Sequence, residues 1–215
     1  MGFESFVIIA RLSASIAFRR MAIRIKDKWH QSRRNRTTSK SLQDSAGALA
    51  FIGWRVALDR AQNLNREGFR FDSDIERVGV ISEFVAFEIQ VADRLAYEFL
   101  DDDERSAFIN ALGQRFAEHM QENLSDLDGP RNYRDAFVAL LNERLSDYST
   151  LSFSDGEPGF DFLRYFGAKV LRVLGEDQTN RWVLDQIVAV EAPEVAEKIR
   201  KSVFNLLSVP KQDAD

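Results

Sequence analysis

The sequence predicts an all-α protein: a single multi-helix, bundle-like body of six or seven mostly antiparallel helices, preceded by a basic N-terminal arm. Three observations predict it. From residue 45 onward, apolar residues recur at helical spacing. Helix-starting and helix-ending residues punctuate that rhythm. The connections between periodic stretches are short, which favours antiparallel neighbours. The organisation read from these is an arm and linker over 1–44, a helical domain over 45–207 and a frayed tail over 208–215. No internal repeat of fixed period is visible, which argues against a solenoid.

The first body helix is expected over about 45–64, with Trp54, Ala57, Leu58, Ala61 and Leu64 on one side and Arg55, Asp59 and Gln62 on another. The second opens at Ser73, whose partner three residues on is Glu76, the pattern of a capping box, and runs to about Leu100. Asp101-Asp102-Asp103-Glu104 suits the positive end of a third helix that ends near Leu124. Gly129-Pro130 breaks the pattern, and a fourth helix fits Asn132 to Tyr148. The stretch 149–159, with Gly156, Pro158 and Gly159, reads as a loop. A fifth helix, Phe160 to Leu174, stops at Gly175. A sixth spans Asp177 to Glu191, with Trp182 as a core anchor, and Pro193 opens a seventh that ends near Leu207. Seventeen Phe imply a strongly aromatic core rather than a cofactor box.

Charge is divided by position. Residues 1–40 hold ten Lys or Arg against Glu4 and Asp27, a formal charge of +8, and the other 175 residues carry −13, so the near-neutral total of −5 conceals a basic arm on an acidic body. Such asymmetry points to an acidic partner, a membrane surface or nucleic acid, or to a solvated tail. The candidate contact residues are Arg19, Arg20, Arg24, Lys26, Lys28, Trp29, Arg33, Arg34 and Arg36. The apolar stretch at Phe6 to Ala10 is followed, not preceded, by its cations, so no signal peptide is read. Residues 32–45 read as a flexible linker. No apolar run is long enough to suggest a transmembrane helix.

Several chemistries lack their residues. The chain has no Cys, which removes thiol catalysis, iron–sulfur clusters and Cys-ligated zinc. Its only two His, His30 and His119, leave no His-rich metal site, and there is no phosphate loop, dinucleotide fingerprint or nucleophile elbow. No metal and no cofactor are expected, and no catalytic residue is assigned.

One polar constellation stands out. On the second helix Glu88 falls near the centre of the apolar arc, and on the third His119 lies inside the arc with Arg115 on its border. Folding the two as a hairpin sets Glu88 at the level of Phe116, with Arg115 and His119 within one turn. Arg144, on the apolar side of the fourth helix, is a second candidate partner. Glu83 is placed on the opposite, polar side, and Asp93, Arg94 and Glu98 on a solvated face. A carboxylate facing a core must be neutralised, paired or wetted. The cluster Glu88, Arg115, His119 and Arg144 therefore reads as a structural ion pair, as the lining of a small-ligand pocket, or as an acid–base pair of Glu88 with His119. The leading functional expectation is a non-enzymatic helical interaction or assembly protein whose basic arm contacts an acidic partner or membrane surface. The alternatives are a ligand-binding protein or enzyme built on the polar cluster, and nucleic-acid binding through the arm. The expected partner is a protein first, then an anionic membrane surface, then nucleic acid. The expected location is the cytoplasm, with attachment to the inner face of a membrane as the variant.

Overall fold

The structure is a computed structural model that describes residues 41–176 and 179–208. The arm, with all nine of its candidate contact residues, lies outside the described residues, as does the tail beyond Ser208. The elements are α1 (Leu42–Arg66), α2 (Asp74–Ala96), α3 (Asp102–Asp128), α4 (Arg134–Tyr148), the two-residue strands β1 (Phe153–Ser154) and β2 (Glu157–Pro158), α5 (Phe160–Leu174), a 3₁₀ turn (Asn180–Trp182), α6 (Val183–Gln186), a π-helical turn (Ile187–Glu191) and α7 (Ala192–Leu207). The all-α expectation holds.

Capping chemistry sets the helix starts. Ser41 accepts from the Asp44 N–H at 3.1 Å while the Asp44 carboxylate accepts from the Ser41 N–H at 3.3 Å. That reciprocal box starts α1 three residues ahead of the sequence expectation, inside the stretch read as linker. Ser73 accepts from the Glu76 N–H at 3.1 Å, but the Glu76 side chain accepts from Asp72 N at 2.7 Å, so only half of the expected box forms. Asp101 caps α3 through the Glu104 N–H at 2.9 Å. α4 has no side-chain cap of its own; Gln121 of α3 accepts from the N–H groups of Tyr133 and Arg134 at 2.8 and 3.0 Å.

The helix ends follow from local chain geometry. α2 stops at Ala96 rather than Leu100 because Glu98 and Phe99 donate to carbonyls only three residues back, a tightening that turns the chain into α3. Within the expected 149–159 loop, Asp155 and Gly156 take φ of 53° and 75°. Two successive positive φ values form the hairpin turn that matches strand twist, so β1 and β2 pair. The sixth and seventh helices join without a break. Pro193 has no N–H to donate, and its ring crowds the carbonyl four residues back, so the helix widens and Ala192 N–H reaches Ile187 O across a π turn.

Neighbouring helices run antiparallel where the side chains fix it. Ser82 meets Met120 and Asp93 meets Arg105, so α2 and α3 are antiparallel. α2 sits at the centre, in contact with α1, α3, α4, α5 and α7. Every residue from Glu83 to Ala92 is buried, a run that one buried face cannot produce. The Phe-rich core packs against it: Phe87 stacks on Phe166 at 4.5 Å, and Phe84 meets Phe166 edge-on at 4.9 Å. Trp182 is not a core anchor. It is 57 % exposed, with Arg181 over its ring. Its neighbour Asn180 takes the inward position instead, accepting from Arg70 N at 2.9 Å and donating to Leu174 O at 3.0 Å.

Gly53 marks a close helix–helix approach. A Cβ there would lie 2.4 Å from Glu88 Oε2 and 2.8 Å from Phe116 Cζ, whereas one at Gly47 meets nothing within 4 Å. Gly53→Ala should therefore cost about 1–3 kcal/mol in urea unfolding through overpacking. Gly47→Ala should stabilise by roughly 0.5–1 kcal/mol through helix propensity alone.

Candidate functional site

Burial of α2 forces its two central carboxyl groups into different solutions. Glu83 is paired. Arg144 of α4 donates from Nε to Oε2 at 2.8 Å and from Nη2 to Oε1 at 2.6 Å, a bidentate fork in the core. Arg144 Nη1 also reaches Glu143 at 2.6 Å. The hydrogen bonds it donates to Glu83 hold the guanidinium's pKa far above its ordinary value, against the opposing effect of burial. Around this pair the Tyr165 hydroxyl donates to Asp147, and that bond lowers the Asp147 pKa. The Tyr148 hydroxyl is buried without a partner among the described residues, and burial raises its pKa.

Glu88 is the opposite case. It is 1 % exposed, and neither carboxyl oxygen has a hydrogen-bond partner among the described residues. It fills the notch left by Gly53 of α1, beside Phe116 of α3. Burial drives its pKa well above the ordinary 4.5, and the charge of Lys198 on α7 opposes this only weakly. An ionised carboxylate with no partner in such surroundings is costly, so the neutral acid is the favoured form.

The four candidate residues do not converge. The predicted level of Glu88 and Phe116 holds, with Gly53 of α1 against both. Trp54 of α1 meets the His119 ring at 5.6 Å, and the His119 pKa is lowered, chiefly by burial. Arg115 points to solvent and pairs with Glu118 at 2.8 Å. Arg144 is buried as a partner of Glu83, not Glu88. The hairpin argument considered two helices where three meet. Glu83, placed on a polar face, is 2 % exposed because that face packs against α4. An acidic residue flanked by Val80, Ile81, Phe84 and Val85 was the sequence signal for it.

Two further polar centres lie outside the expected cluster. Glu191, fully buried at the π turn, accepts from Asn63 at 2.7 Å, Gln186 at 3.1 Å and Arg60 at 3.3 Å. The second centre lies where α2 ends. Asp93 pairs with Arg105 at 3.0 Å, and Arg94 donates to the carbonyls of Tyr148 and Ser149 at 3.1 Å each. Both Asp93 and Arg94 are half-buried, not solvated; Glu98 is exposed as expected. Arg94 and Arg105 open onto a cleft of about 420 Å³ against the β1–β2 hairpin. A second groove, of about 220 Å³, lies between α2, α3, α4 and α5, and its one carboxylate is the already paired Glu83. No group of three or more His, Asp or Glu side chains suited to a metal ion occurs among the described residues.

Two measurements check this assignment. Because the folded pKa of Glu88 is raised, the folded state binds the extra proton, and stability falls as pH climbs above about 4.5. Glu88→Gln carries no such proton. Its melting advantage over the wild type should be smallest near pH 4.5 and should grow with pH by up to about 1.4 kcal/mol per unit. For the ion pair, Arg144→Ala should cost about 3–5 kcal/mol by leaving Glu83 buried and alone. The Glu83→Leu, Arg144→Met double variant should recover most of that loss in urea unfolding, because it leaves no orphaned charge.

Set beside protein-family models, curated proteins and solved structures, the chain matches none of them.

Proposed function

We propose that the chain is a non-enzymatic helical interaction or assembly protein whose basic N-terminal arm contacts an acidic protein partner or an anionic membrane surface. The observation that carries this reading is the division of charge: +8 over residues 1–40 against −13 over the rest. A cationic segment of that density is drawn to polyanionic surfaces over distances set by salt screening. The buried polar groups of the body support it indirectly. Glu83 and Arg144 neutralise each other, and Glu191 is held by Arg60, Asn63 and Gln186. Those groups hold helices in register and are not arrayed around a reactive centre. The body also exposes Tyr97, Phe160, Trp182 and Phe204, the kind of aromatic side chains that dominate protein contact surfaces.

The test uses the full chain and a variant with Arg19, Arg20, Arg24, Arg33, Arg34 and Arg36 replaced by Ser. Binding is measured to phosphatidylcholine vesicles with and without phosphatidylserine, and to poly-glutamate. Each cation near an anionic surface contributes about 1 kcal/mol, so the six replacements should abolish binding. The wild type should bind at least one of the two anionic probes, less tightly as salt is added. Equal binding by the variant, or no binding by either protein, would overturn the reading.

A further inference from the structure

The cleft at the end of α2 carries an arrangement of charge that the interaction reading does not use. Four charged side chains line it: Arg94, Glu98, Arg105 and Asp155. Oppositely charged side chains on a shared surface can pair with one another. Here they do not. Arg94 binds only the backbone carbonyls of Tyr148 and Ser149, and no carboxylate among the described residues approaches it within ion-pair distance. Arg105 is tied to Asp93 at 3.0 Å and Asp102 at 3.6 Å, both outside the cleft lining, and its Nε is buried with no partner. The side chains of Glu98 and Asp155 make no hydrogen bond or ion pair among the described residues.

The two guanidinium groups are also held in place before any ligand arrives. Helix-end carbonyls fix Arg94, and carboxylates on α2 and α3 fix Arg105, whose guanidinium lies 5.7 Å over the Tyr97 ring. The opposite wall is the β1–β2 turn, where positive φ at Asp155 and Gly156 sets the direction of the Asp155 side chain. Tyr97, 68 % exposed, and half-buried Phe153 supply an aromatic surface between the charges. A volume of about 420 Å³ lies within the range of small-molecule sites. A simple anion would meet Glu98 and Asp155; a simple cation would meet Arg94 and Arg105. Only a ligand bearing both charges satisfies the whole lining.

We propose that this cleft binds a small zwitterion, an α-amino acid with an apolar or aromatic side chain. Its carboxylate is received by Arg94 and Arg105, its ammonium by Glu98 and Asp155, and its side chain by Tyr97 and Phe153. No bond is made or broken.

The experiment is calorimetric titration of the full chain with three probes: L-phenylalanine, phenylacetate, which lacks the ammonium, and phenethylamine, which lacks the carboxylate. L-Phenylalanine should bind at millimolar concentration or below, and each single-charge analogue should bind about tenfold more weakly or worse, since each loses a charge-assisted contact. Arg94→Gln and Glu98→Gln should each weaken L-phenylalanine binding by a similar factor. Glu98 is exposed, so its variant keeps the fold even if the Arg94 variant loses the two carbonyl contacts. Absence of L-phenylalanine binding at millimolar concentration overturns the proposal. So does phenylacetate or phenethylamine binding as tightly as the amino acid, or an unchanged affinity in Glu98→Gln.

Discussion

Enclosure of α2 is the constraint on which the structure depends. Five other helices touch it, and ten successive residues along it, Glu83 to Ala92, are buried. A helix in that position offers no solvated face, so each polar side chain on it must find a partner inside the protein or give up its charge. Glu83 does the first, through the two-pronged grip of Arg144. Glu88, five residues on, does the second in the notch at Gly53. The same crowding explains why α1 carries a glycine there: a larger residue would collide with the carboxyl group and with Phe116. Sequence, close helix approach and protonation state are thus tied together at one level of the bundle.

Much of the architecture was legible because local chemistry wrote it. α5 begins and ends where its two-sided apolar pattern and Gly175 place it. Asp101 caps α3 as the acidic run implied. The burial of Glu88 followed from its place at the middle of an apolar arc, and its level opposite Phe116 followed from counting residues back from the α2–α3 turn. Arg144 was also placed correctly on the inner side of α4.

What could not be read was decided by contacts distant in sequence. A helical wheel assumes a single buried face, so it sent Glu83 to solvent when α4 in fact covers it. Pairing two helices at a time brought His119 toward Glu88, whereas the His119 ring lies against Trp54 of α1. Trp182 was assigned to the core for its size. In a single 3₁₀ turn, however, only one of three side chains faces inward, and Asn180 holds that place by clasping two chain segments. The continuity of the sixth and seventh helices was hidden because Pro193 reads as a start, and the π turn that accommodates it leaves no mark in the apolar period.

Of the polar residues first singled out, Arg144 pairs with Glu83, Glu88 is buried with its pKa raised, and Arg115 and His119 face other neighbours. Among the described residues, Arg94 and Glu98 share the wall of a cleft without meeting. Whether the interior handles its carboxyl groups as argued is tested most directly at Glu88. An infrared difference spectrum between the wild type and Glu88→Gln at neutral pH should contain the C=O band of a protonated carboxylic acid, shifted when the protein is moved to D₂O. A difference spectrum with only the symmetric and antisymmetric bands of an ionised carboxylate would contradict the account.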